Sequence, residues 1–165
     1  MATAQHRADP AAKRNEVPSG AGRRFALVVS RWNLEITDAL RQGAMDTLRV
    51  HGVADHDVIV EWVPGSFELP LAAQFLLERG GLHGVICIGS VVRGATPHFD
   101  HVCQGVTQGV MQVGLKFSVP VIFCVLTDNT LEQARERSGG ALGNKGVDCA
   151  EAVLHMAALQ ARAQG

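Results

Sequence analysis

The chain has 165 residues, 47% hydrophobic and 19% charged, with 15 basic and 16 acidic side chains and a net charge of −1. That length fits one domain with a real core, and that composition excludes a chain disordered throughout. The near-neutral balance excludes a general binder of nucleic acid or membrane surfaces, and the longest apolar runs fall far short of a membrane span. Residues 1–22 mix Ala, charges, Pro10, Pro18, Gly20 and Gly22 without a period. They are expected to form a flexible tail ahead of a single domain at 23–165. No apolar core of a secretory leader is seen there. Cys87, Cys103, Cys124 and Cys149 lie in apolar segments without a CxxC pair. A cytoplasmic protein with buried thiols, no disulfide and no zinc site is therefore expected.

Phe25 to Val29 is a short apolar run that suits a strand buried on both faces, and Asp57 to Val63, Gly84 to Gly89 and Val121 to Thr127 repeat its character. Between these runs the apolar period turns helical. Ile36, Leu40, Ala44 and Leu48 are spaced by four and end at His51-Gly52. Ser66 is expected to cap a helix through Leu69, Ala73 and Leu76 to Gly80-Gly81, with Pro70 in its first turn. Val102, Val106, Val110, Val113 and Phe117 stripe a longer helix. Thr130 and Gln133 form a capping box that opens a short helix to about Arg137, and Val147, Ala150, Leu154 and Ala157 stripe the last one. The order βαβαβαβαα predicts a three-layer α/β/α sandwich. Its four-stranded parallel sheet has the order 2-1-3-4, in the flavodoxin-like manner.

In such folds ligands bind beyond the carboxyl ends of the strands, near the switch between strands one and three. Four segments meet there: Ser30 to Asn33, Pro64 to Glu68, Ser90 to Asp100, and Thr127 to Thr130. They gather two aromatics, a carboxylate, a histidine, an arginine and several glycines, a set able to stack a flat ring and bind an oxyanion. Trp32 is either a stacking face or a lid on the core. Phe67 is either a packing residue at a helix start or part of the pocket, and Glu68 suits the dipole of a first turn as well as a ligand. His98 is either a surface loop residue or a proton carrier, since imidazole titrates near neutral pH. Arg93 is either a solvated loop charge or, with Gly94 to Thr96, part of an anion cradle that is neither a Walker A loop nor GxGxxG. Arg137 and Lys145 flank a glycine-rich bend, Ser138 to Asn144, that is able to aim both cations at an anion.

Three elements resemble those of the lumazine synthase family, in order and at compatible spacing. Val63-Pro64-Gly65-Ser66-Phe67-Glu68-Leu69-Pro70 resembles its VPGxxE[IL]P element, and Gly89 to Asp100 resembles its G-x-V-x-R-G-x-T-x-H-x-D element. Glu132-Gln133-Ala134-x-x-Arg137 followed by Gly143-Asn144-Lys145-Gly146 resembles its closing EQAxxR…GNKG element. The resemblance runs from about Arg24 to Leu159.

That resemblance implies condensation of 5-amino-6-(D-ribitylamino)uracil with 3,4-dihydroxy-2-butanone 4-phosphate, without metal or redox cofactor. It implies that Trp32 stacks on the pyrimidine and that Asn33, Ser90 and Val91 meet the uracil edge. Ser66, Phe67 and Glu68 then lie beside the ribityl chain, and Ala95 and Thr96 lie at the phosphate opposite Arg137. His98 matches the proton carrier, and Phe123, Arg137 and Lys145 match residues supplied by a neighbouring subunit. The implied assembly is a pentamer or a shell of twelve pentamers, with neither nucleic acid nor membrane as partner. Two positions depart from the pattern: Trp32 stands where Phe is common, and Ala141 stands where many members carry Lys. A non-catalytic flavin or lumazine binder on the same scaffold is the alternative, and His98, Arg137 and Lys145 together argue against it. A flavodoxin-like electron carrier is disfavoured because the first loop lacks a Ser/Thr-rich phosphate cradle.

Overall fold

The structure, a computed structural model, describes residues 16–164. Among them the chain runs β1 (Phe25–Ser30), α1 (Leu34–Val50), β2 (Val58–Val63), α2 (Leu69–Glu78), β3 (Gly84–Val92), α3 (His98–Phe117) and β4 (Val121–Asp128). It continues through α4 (Leu131–Arg137), a small hairpin of β5 (Ser138–Gly140) and β6 (Gly143–Asn144), and α5 (Lys145–Gln164). Strands β1 to β4 form one parallel sheet in the expected order, β2-β1-β3-β4.

Strand alternation sorts the core into two layers. Phe25, Leu27 and Val29 of β1, with Ile86 and Ile88 of β3, face residues of α1 and α5. Ala26 and Val28, with Val85 and Cys87, face α2 and α3. Burying each large apolar side chain contributes about 1.5–3 kcal/mol, so both faces of the sheet hold helices firmly. α1 leaves β1 for one face and α3 leaves β3 for the other. A crevice therefore opens between the carboxyl ends of those two strands.

Local structure differs from the expectation at several points. A 3₁₀ turn, Ser66–Glu68, precedes α2, and its cap is Gly65, whose N–H donates to Glu68 Oε2 at 2.9 Å. β2 is only partly buried, because it is an edge of the sheet. β3 runs on to Val92 and α3 already starts at His98, so the loop between them is short. The bend Ser138 to Asn144 pairs as the β5–β6 hairpin. Cys87 and Cys124 are buried, Cys103 and Cys149 only half-buried, and all four are free thiols. Burial pushes the Cys87 thiol up to about 12. Residues 1–15 of the expected tail lie outside the described residues. From Glu16 onward the chain lies against the domain: Val17 packs on the core, and the Gly20 N–H donates to His51 O at 2.8 Å.

Candidate active site

The crevice at the switch point is a cleft of about 620 Å³. Asn33 shapes one wall. It caps α1 in the left-handed region (φ 56), which asparagine tolerates better than most residues. Its Nδ2 donates to Ser90 O at 3.0 Å, which ties the loop after β1 to β3. That turn throws Trp32 outward: the indole lines the cleft yet stays 72% exposed, so it does not serve the core. Ser90 and Ser66 are buried at the cleft, and neither hydroxyl finds a hydrogen-bond partner among the described residues. Val91 stands beside them on β3.

The 3₁₀ turn supplies the opposite wall. Glu68 spends Oε2 on the Gly65 N–H, which fixes the carboxylate and leaves its other oxygen for a ligand. Phe67 is 61% exposed and lies along α3. A Cβ at Gly105 would come within 2.7 Å of its ring, so glycine is required for that approach. His98 is exposed on the first turn of α3 and lines the cleft with His101, three residues on. Trp32, Asn33, Ser66, Phe67, Glu68, Ser90, Val91 and His98 thus come together within one chain. His101 and Val102 also line the cleft but carry no signal in the family elements. Their spacing from His98 on one helix face was the available clue.

The remaining candidates lie elsewhere in the chain. Ala95 and Thr96 are exposed on the loop between β3 and α3. Arg137 closes α4, with its Nε 3.8 Å from Oδ1 of Asp128. That is an ion pair without a hydrogen bond. Asp128 is buried, its Oδ2 has no partner among the described residues, and burial raises its pKa above the ordinary carboxylate value. Lys145 Nζ donates to Asp148 Oδ2 at 2.6 Å. Phe123 lines a second, almost wholly apolar groove of about 430 Å³, bordered by Met111 and Leu115 of α3 and Met156 and Leu159 of α5. Among the described residues no group of three or more His, Cys, Asp or Glu is placed to hold a metal ion.

The closing GNKG element resolves into separate tasks. Asn144 Nδ2 donates to Ala39 O of α1 at 2.9 Å, and its Oδ1 accepts from the Gly146 N–H at 2.8 Å. Gly146 lies so close to α1 that a Cβ would run into the carbonyl oxygen of Leu40. Asn144 and Gly146 therefore seat α5, and Lys145 is the charged member, its ammonium paired with Asp148.

Residues 22–161 match the family model described as 6,7-dimethyl-8-ribityllumazine synthase. The chain is 49% identical to the 6,7-dimethyl-8-ribityllumazine synthase of Porphyromonas gingivalis, over 97% of this chain and 99% of that protein. It is 51% identical to the synonymous protein of Salinibacter ruber, over 87% and 92% of the two chains. To that of Phocaeicola vulgatus it is 48% identical, over 86% and 84%. A family match over residues 22–161, with identities of 48–51% over most of the chain, places it in the 6,7-dimethyl-8-ribityllumazine synthase family.

Proposed function

We propose that this chain condenses 5-amino-6-(D-ribitylamino)uracil with 3,4-dihydroxy-2-butanone 4-phosphate to 6,7-dimethyl-8-ribityllumazine, releasing phosphate and water, in riboflavin biosynthesis. The observation that carries the proposal is the crevice itself, in a chain of this family. It presents an exposed indole, a fixed carboxylate and an exposed imidazole to one cleft. The indole of Trp32 stacks on the pyrimidine, while Asn33, Ser90 and Val91 read its edge. Ser66, Phe67 and Glu68 hold the ribityl chain, with the unengaged oxygen of Glu68 accepting from its hydroxyls. Ala95 and Thr96 lie towards the phosphate.

The 5-amino group attacks the ketone to give a carbinolamine, which loses water to an imine. Phosphate leaves, an enol tautomerises, and the ring closes with loss of a second water. Each step moves a proton, and one imidazole at the rim, His98, serves them in turn. The amine and ketone are reactive towards each other, so holding them in one pocket supplies most of the acceleration. Arg137 offers a fork to the phosphate.

Phe123, Arg137 and Lys145 complete the site from a neighbouring copy. None of the three lines the cleft within one chain, which supports this, and so do two exposed apolar faces. Beside β4 lie Met111, Leu115, Met156 and Leu159, and on α2 lie Leu71 and Phe75, all exposed. Unlike faces that meet head to tail close into a ring, here a pentamer, with the shell of twelve pentamers as its larger form. The chain works in the cytoplasm; no helix among the described residues is long and apolar enough to cross a membrane. The direct test mixes the two substrates with purified protein and follows lumazine absorbance and fluorescence. Rapid lumazine formation above the uncatalysed rate is expected. Tight lumazine binding without turnover would favour a non-catalytic binder.

A further inference from the structure

We infer that Arg93 is a positioning residue for His98: its guanidinium fastens the first turn of α3 to the ends of β3 and β4, and so fixes where the imidazole stands over the cleft. The inference rests on the proton-transfer role proposed for His98 and deepens it.

Arg93 directly follows β3, and its N–H donates to Asp128 O at 2.9 Å, one step beyond the β3–β4 ladder. Gly94 to Pro97 then cross to α3 fully on the surface, and a Cβ at Gly94 would touch nothing within 4 Å. Pro97, at the cap position of α3, provides no side-chain hydrogen bond. A segment with so little packing does not by itself hold a side chain in place. The far end of the crossing is gripped by the Arg93 side chain instead. Nη1 and Nη2 donate to the two carboxylate oxygens of Asp100 at 3.3 and 3.0 Å. Nε donates to Asn129 Oδ1 at 3.0 Å, and the guanidinium carbon lies 4.1 Å from the centroid of the buried Phe99 ring.

Phe99 and Asp100 are the two residues after His98, so the clamp acts on the very turn that carries the imidazole. Isolated exposed ion pairs contribute little to stability. This one joins a bidentate fork, a third hydrogen bond and a ring beneath the cation, which together fix the guanidinium plane. The clamp also extends beyond His98. Asn129 donates its N–H to Gln133 Oε1 at 2.9 Å, and Gln133 belongs to α4, which ends at Arg137. Such over-determination suits geometry more than stability, because a displacement of about 1 Å at a reacting group costs on the order of 10²-fold in rate.

The test is a double-mutant cycle on kcat. Arg93→Ala is expected to lower kcat about ten- to a hundredfold, with KM for the ribitylaminouracil nearly unchanged. Arg93→Lys is not expected to rescue it, since an ammonium has no fork. In a His98→Ala background Arg93→Ala should add no further loss, because a residue that acts through His98 has nothing left to position. Losses that multiply, or full activity in Arg93→Lys, would overturn the inference. If Arg93→Ala does not assemble, Asp100→Asn removes the charged fork at nearly constant volume, and the same cycle is read with it. A wild-type kcat in His98→Ala alone would instead refute the proton-carrier role, a result separable from the Arg93 cycle.

Discussion

His98 stands exposed at the rim of the cleft, on a helix turn whose neighbours are pinned by Arg93. His98→Ala is expected to slow turnover on the order of 10²-fold while the pyrimidine still binds, since positioning survives the loss of the proton carrier. An unchanged kcat would contradict that role. Asp128 poses the reverse question, because its buried carboxylate holds Arg137 yet has an oxygen without a partner among the described residues. Burial raises its folded pKa above the ordinary 3.8. The folded state therefore keeps this proton to higher pH than the unfolded chain does. The associated stability is complete below the unfolded pKa and is lost as pH rises through the folded one. Asp128→Asn stays neutral throughout, so its melting temperature relative to wild type should be higher at pH 7 than at pH 4. KM for the butanone phosphate should rise as Arg137 loses its anchor. A relative melting temperature that falls between pH 4 and pH 7 would show that ionised Asp128 stabilises the fold.

Elements with a clear period were legible in the sequence, and those held by distant contacts were not. The four-residue spacing of Ile36, Leu40, Ala44 and Leu48 corresponds to α1, and the apolar run from Phe25 corresponds to the buried β1. The β5–β6 hairpin is too short to show a period. The start of α3 at His98 is hidden because its first turn has no side-chain cap at Pro97. Arg93 looks like a solvated charge because its partners, Asp100 and Asn129, meet it only once β3 and β4 are paired. The cleft residues after β1 and β2 and at the start of α3 were legible from topology, since strand ends at a switch point must converge. The closing element shows how a motif mixes tasks: Gly146→Ala should destabilise the chain by about 1–3 kcal/mol by overpacking α5 on α1. Denaturant unfolding at fixed protein concentration measures this, and a wild-type midpoint would mean that the helices part at no cost.

Across the whole molecule, the cleft of one chain is lined by neither Arg137 nor Lys145. β2 and β4 are the two edges of the sheet, and Arg137 belongs to the β4 side. The groove beside β4 is lined by Phe123 and apolar residues of α3 and α5, a surface that gains by being covered. The proposed reaction centre draws on two copies of the chain, and complementation separates that arrangement from a site held within one. His98→Ala and Arg137→Ala protomers, each impaired alone, are dissociated, mixed in equal amounts and reassembled. With free mixing about a quarter of the heterologous interfaces pair an intact His98 side with an intact Arg137 side, and activity should return in that proportion. Verified mixed assemblies with no more activity than the separate variants would place the whole site within a single chain.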